Sequence, residues 1–395
     1  MRPGPLLAAC VGSVALLTGC QPTLTLMSAP LPDASAAQIS TPGLQAQDAP
    51  IDQPIVVEVE DGRLLDVAVT HEGKAIEGEF SPDGRAWRST AKDFAFSTTY
   101  DIQATAVDSR GNTTSMDEQM TTLTPDALVK PTFDLTYGTE WGVGMPIIVN
   151  FDEPIKDKAA AEERMIVRTS QPVEGAWYWV SNTEAIYRPK YYWPGKTDIE
   201  VDVDLKGVQV APGVYGKDSV KQRFRTFDSV VLKADAETLM LDVWRNDEII
   251  NSIPVTMGMD GYETLTGTKL IISQERTRIM DNATAGVSED DPEHYRVEVD
   301  YAMRLTWHGE FLHASPWAAG AWGSYRMSHG CTSMSTEDAA WLFDITHIGD
   351  PVEITGTPLQ QDPGNGITVW NISWKDWVKE SALGERTTEP LLKNA

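Results

Sequence analysis

Residues 313–333 read H-A-S-P-W-A-A-G-A-W-G-S-Y-R-M-S-H-G-C-T-S. The stretch holds Cys331, and the other two cysteines, Cys10 and Cys20, lie in the first 20 residues of the chain. A thiolate attacks carbonyl carbon well, but an ordinary thiol is protonated at neutral pH and needs a base or a favourable field. His313, upstream, and His329, two residues before the sulfur, are the candidate bases. Gly330 permits the sharp turn that aims neighbouring N–H groups at one point, as oxyanion stabilisation requires. A cysteine near a histidine is on its own a loose nucleophile pattern, and an isolated cysteine is more often a buried, inert one.

The complete string is more specific. His313, fourteen intervening residues and then Ser328-His329-Gly330-Cys331 resemble the signature of the L,D-transpeptidase (YkuD-type) catalytic domain. Two positions depart from that signature: Thr332 stands where the family has an apolar residue and Ser333 where it has Asn. The resemblance implies that Cys331 attacks the carbonyl of a donor peptide while His313 takes the thiol proton. It implies that the main-chain carbonyl of Ala314 fixes the His313 tautomer. The N–H groups around His329, Gly330 and Cys331 would stabilise the oxyanion, and the His329 side chain is a second candidate base. For substrate binding the resemblance points to Tyr295 and Met280 on a flap and to His308-Gly309 in a donor-binding turn. It also points to Trp317 beside the pocket and to Ser333. Trp307 stands where a Tyr is usual. The implied substrate is the peptidoglycan stem peptide, cut after its third residue through a thioester. A second stem would resolve it into a 3→3 cross-link, or water would, as in an L,D-carboxypeptidase. Carbapenems are the implied inhibitors. A wall-binding scaffold with an impaired site is the rival from another class.

Around this stretch the chain is β-rich. Strand character recurs at Val230–Asp235, Lys269–Ser273, Met303–Trp307, Glu310–His313 and Val352–Thr355. Ser335-Thr336-Glu337-Asp338 is a helix start with a capping box, and that helix is expected to run to about His347. Residues 229–356 are therefore the expected catalytic domain. In 357–395, Trp370, Trp374 and Trp377 share one helical spacing, and the resemblance implies that this extension packs back on the catalytic domain.

Two segments upstream, 51–124 and 125–228, alternate short strands with Gly, Asn and Asp turn signals, the pattern of small β-sandwiches. Trp87 is the expected core aromatic of the first. The run Y-R-P-K-Y-Y-W-P at 187–194 fits core packing or a carbohydrate platform. Both segments resemble the paired immunoglobulin-like domains that precede the catalytic domain in actinobacterial L,D-transpeptidases. The expected fold is thus mainly β, with two immunoglobulin-like domains, a mostly β catalytic domain with one helix after the nucleophile, and a helical C-terminal extension.

Residues 1–20 have a short basic start and an apolar stretch ending in L-T-G-C, which resembles a bacterial lipobox; a plain secretory leader is the alternative. Lipidation of Cys20 would put the protein on the extracytoplasmic membrane face, with 21–50 as a flexible tether spanning roughly 30 Å. No disulfide would remain possible within the mature chain. The formal net charge of −26 repels phosphate backbones and excludes nucleic-acid binding as an expected role. No metal-ligand spacing and no phosphate-binding glycine loop occurs, so neither metal nor cofactor is expected.

Overall fold

A computed structural model describes residues 34–91, 93–285, 288, 290 and 294–391. The expected leader, Cys20 and the tether up to residue 33 lie outside the described residues. The structure is mainly β and divides into two compact units.

The first unit spans residues 53–93 and 98–121 with the segment before Ala49. It holds two four-stranded sheets. The strand Thr99–Asp108 alternates strictly, burying Tyr100, Ile102, Ala104 and Ala106. That period of two is what a half-buried strand requires. Trp87 is buried, as the sequence leads one to expect. The tether prediction fails for its second half. Gln38–Ser40 forms a strand antiparallel to Val56–Glu60. The Asp108 carboxylate accepts the N–H of Ala36, Arg110 and Asn112. A polar composition thus became ordered because an open sheet edge and a buried carboxylate supplied backbone partners.

The second unit includes residues 122–391. Its first part is a sandwich of two five-stranded sheets. Trp177, Tyr187 and Trp193 lie in its core, so most of the aromatic run is packing; Tyr191 alone among these is well exposed. The last strands of the chain complete both sheets. Arg386–Thr387 pairs with Glu174–Trp179, and Glu389–Pro390 pairs with Met165–Thr169. The C-terminal extension therefore divides: its first part packs on the catalytic domain as expected, with Gln360 bridged to Thr266 and Asn371 bonded to Thr268, whereas its helix and last strands pack on this sandwich, which corrects the expectation for that part. The tryptophan stripe is also broken. Trp370 sits in a 3-10 turn, Val369–Asn371, and the α-helix begins only at Trp374, because Ile372 is extended and Ser373 caps the new helix. All three rings nevertheless meet at one cation, the Arg188 guanidinium.

The catalytic part pairs a five-stranded sheet with a four-stranded one. The four-stranded sheet runs Ser273–Asp281, Arg296–Arg304, Phe311–Ala314, Thr332–Met334. The strand expected over 269–273 is in fact two: Gly267–Leu270 belongs to the other sheet, and Ile271 N–H turns to the Asp350 carbonyl. The helix Thr336–Ile345 follows the nucleophile strand. Ser335 Oγ accepts the Asp338 N–H, and Glu337 and Asp338 sit favourably in its first turn.

Candidate active site

The site is built by alternation on two adjacent strands. Phe311–Ala314 and Thr332–Met334 pair in parallel, with His313 opposite Ser333. Successive side chains on a strand point to opposite faces. Leu312, Ala314 and Met334 therefore enter the apolar core of the domain, while His313, Cys331 and Ser333 share the other face. That face forms the floor of a cavity of about 320 Å³, walled by Met280, Tyr295, Trp317, Met327 and His329 among others. Thr332 points inward, and its hydroxyl has no hydrogen-bond partner among the described residues.

Gly330 has φ +113°, a conformation that side-chain-bearing residues rarely adopt. Just before it, Ser328 Oγ accepts the Gly330 N–H and donates to the Cys331 carbonyl at 2.5 Å. This tight turn fixes the nucleophile's backbone. It also commits the Gly330 N–H, so that donor is withdrawn from the expected oxyanion set, leaving those of His329 and Cys331.

The Cys331 thiol is buried and donates to the Gly309 carbonyl at 3.6 Å. Burial pushes its pKa up to about 12; the Phe311 backbone N–H and the Lys269 ammonium oppose this, and the Glu310 carboxylate adds to it. His313 donates Nδ1–H to the Ala314 carbonyl at 2.8 Å, which leaves Nε2 as the basic nitrogen. Burial holds its pKa below the ordinary imidazole range. The resting pair is a neutral thiol and a neutral base.

Among the other expected contacts, Met280, Tyr295, Trp317 and Ser333 lie on the cavity wall. The ring of Trp317 stacks 6.4 Å from that of His313. His329 is exposed at the rim, its ring between Tyr262 and Tyr295. The His308 side chain is exposed and is not on the wall; its N–H donates to Asn365 Oδ1. Its neighbour Gly309 reaches the site only through the carbonyl that meets the sulfur. Trp307 is likewise exposed and off the wall.

Sequence reading missed a buried ion pair beneath the sulfur. Lys269 Nζ lies 2.5 Å from Glu310 Oε2 with its side chain wholly buried. A lysine inside the apolar run T-K-L-I-I was the available signal. It also missed Ser315, which donates to Ser333 Oγ at 2.9 Å; its position two residues after His313, just past the end of the strand, was the clue. Among the described residues no group of metal-ligating side chains converges.

Residues 46–209 match the bacterial Ig domain profile, and residues 229–354 match that of the L,D-transpeptidase catalytic domain. The chain is 37% identical over 331 residues to L,D-transpeptidase 2 of Mycobacterium tuberculosis, covering 83% of this chain and 80% of that protein. It is 31% identical over 384 residues to L,D-transpeptidase 5 of the same organism, covering 95% and 83%. Among solved structures, an L,D-transpeptidase in complex with imipenem is 30% identical over 58% of this chain and 99% of that one, at a TM-score of 0.48.

Proposed function

The chain belongs to the L,D-transpeptidase family, and from that premise we propose that it forms 3→3 cross-links between peptidoglycan stem peptides through a thioester on Cys331. The observation that carries this reading is the shared face of His313 and Cys331 on one cavity floor, with His313 Nδ1 tied to the Ala314 carbonyl. Cys331 Sγ attacks the carbonyl of the donor's third residue as its proton passes to His313 Nε2. The C–N bond to the terminal D-amino acid then breaks, and the imidazolium returns the proton to the leaving amine. The N–H groups of His329 and Cys331 are the donors left to hold the developing oxyanion. An acceptor amine from a second stem resolves the thioester by the reverse sequence. Because the imidazole is neutral at rest, it starts in the form a base requires.

The apolar walls of Met280, Tyr295 and Trp317 suit a peptide and a carbapenem alike, and the family resemblance supports carbapenems as acylating inhibitors. Lipidation of Cys20 would hold the enzyme on the extracytoplasmic membrane face; the L-T-G-C string supports this.

Intact-protein mass spectrometry with a tetrapeptide donor and with a carbapenem tests the chemistry. An adduct on the wild type that is absent from Cys331→Ser and His313→Gln is the expected result. No adduct from either reagent on folded wild type would leave the scaffold reading instead. Product analysis with two stems separates a cross-linked dimer from a hydrolysed tripeptide. For the anchor, Cys20→Ala should move the protein from the membrane to the soluble fraction, and retention of that variant would refute lipidation.

A further inference from the structure

The cavity wall carries four serine and threonine hydroxyls, those of Thr256, Ser315, Ser328 and Ser333. Each has one hydrogen to donate, and three of these are spent within the protein. Thr256 donates to the Tyr325 carbonyl at 2.8 Å. Ser328 donates to the Cys331 carbonyl. Ser315 receives the indole N–H of Trp322 at 3.1 Å and donates to Ser333 at 2.9 Å. The geometry gives this last bond one direction, from Ser315 to Ser333, and at the far end the indole N–H can only donate. Ser333 therefore accepts from Ser315, and its own hydrogen has no acceptor among the described residues. Its backbone is equally committed: the N–H and carbonyl of Ser333 exchange hydrogen bonds with Thr256. What remains is one O–H on a 2% exposed residue, on the cavity floor and in register with His313.

We propose that Trp322, Ser315 and Ser333 form a one-way hydrogen-bond chain ending as a donor in the cavity, where Ser333 recognises an acceptor oxygen of the acyl donor. This rests on reading the cavity as the transpeptidase site and names how that site reads its substrate. Each hydrogen bond in such a chain polarises the next, so the terminal O–H is a better donor than an isolated serine. The cavity wall carries no lysine or arginine, so this hydroxyl, with the imidazoles and the Tyr295 phenol, supplies its polar recognition. The acceptor is either a backbone carbonyl of the donor peptide or a side-chain carboxylate on its third residue. Ser333 touches substrate in this scheme, whereas Ser315 and Trp322 are positioning residues that act through it. The pair of serines also accounts for the departure from the family's Asn: two short hydroxyls in series hold the place of one longer amide.

The test measures acylation of Cys331 by tetrapeptide donors in the full-length protein, together with alkylation by iodoacetamide, which needs no recognition oxygen. Ser333→Ala should lower the second-order acylation rate roughly tenfold, the scale of one lost hydrogen bond in a buried site. Ser315→Ala and Trp322→Phe should each lower it several-fold, and Ser315→Ala/Ser333→Ala no further than Ser333→Ala alone. Alkylation should change by less than about twofold throughout, which a general disturbance of the site would not allow. Trp322→Phe probes the remote end of the chain should Ser333→Ala fail to fold. A donor with lysine in third place separates the two acceptors. If the Ser333→Ala loss persists with it, the acceptor is a backbone carbonyl; if the loss appears only with a carboxylate-bearing diamino acid, it is the side chain. Wild-type rates for Ser333→Ala, or losses that multiply in the double variant, would overturn the chain while leaving the enzyme reading intact. Failure of the wild type to acylate with any donor would overturn both.

Discussion

Removing the Lys269 ammonium should damage stability and reactivity together. Its side chain is 0% exposed and that of Glu310 is 11% exposed. The other Glu310 oxygen accepts the Leu265 N–H at 2.7 Å. In Lys269→Met the carboxylate keeps that one donor and loses its countercharge in a low-dielectric setting. Breaking a buried pair from one side costs about 3–5 kcal/mol. For a unit of this size that corresponds to a fall in melting temperature of roughly 6–15 °C. In Lys269→Met/Glu310→Gln the charge is gone, and the amide oxygen still serves Leu265, so more than half of the loss should return. The sulfur offers a second reading. The Glu310 carboxylate opposes thiolate formation at Cys331 and Lys269 favours it. Iodoacetamide alkylation at fixed pH should therefore slow in Lys269→Met and recover in the double variant. Calorimetry of the full chain and timed alkylation by mass spectrometry make the measurements. A Lys269→Met variant melting within about 2 °C of wild type would refute the argument, as would a double variant no better than the single.

Burial places Cys331 near 12 and His313 below the ordinary imidazole range, so the alkylation rate should climb steadily through pH 9; a plateau below pH 8 would reveal a thiolate–imidazolium pair and refute the neutral dyad. The same shift acts on stability: with a folded pKa above the unfolded value of about 9, stability is lost as pH rises from about 9 to 12, and Cys331→Ser should remove that part of the slope. The Arg188 guanidinium lies 4.7, 5.1 and 4.5 Å from the ring centroids of Trp370, Trp374 and Trp377 and donates to the Ile372 carbonyl. Arg188→Met should cost about 2–3 kcal/mol and speed amide exchange across 372–390, and unchanged exchange there would sink the clamp. Three backbone N–H groups hold the Asp108 carboxylate well below the usual carboxylate range, so Asp108→Ala should expose the segment around residues 34–40 to limited proteolysis, where wild type resists; equal cleavage of both would refute its role.

Much of this was legible because it depends on local rules. The alternation in Thr99–Asp108, the capping serine at 335 and the S-H-G-C turn each follow from a few neighbouring residues. The failures came from partners distant in sequence. Gln38–Ser40 is a strand only because Val56–Glu60 offers it an edge. The tryptophan stripe looked like one helix because spacing cannot register the break at Ile372 and Ser373, nor that Arg188, far upstream, gathers the rings. Lys269 and Glu310 are separated by 41 residues; the apolar run hints that Lys269 is buried, but nothing local names Glu310 as its partner. Ser328 misled in a different way: its motif position was plain, but not that its oxygen would consume the Gly330 N–H that the motif seemed to offer the oxyanion.

The resting geometry poses a chemical problem whose answer lies in the same residues. The Cys331 hydrogen is bound to the Gly309 carbonyl rather than to His313, and neither member of the pair is charged. A preformed ion pair would be stabilised poorly here, since both ends would be buried among apolar side chains. A neutral dyad avoids that penalty, but charge must then appear as the bond to carbon forms. The Lys269 ammonium is held in advance by Glu310, and the N–H groups of His329 and Cys331, with no acceptor among the described residues, are the donors proposed for that charge; groups fixed beforehand need no reorganisation when it develops. A neutral thiol is also a weak nucleophile toward adventitious electrophiles; in the proposed mechanism, the S–H has to leave the Gly309 carbonyl for His313 before attack. On this view the Gly309 carbonyl is a parking place for the proton, and the buried ion pair that holds its turn in place is part of what makes the cysteine selective.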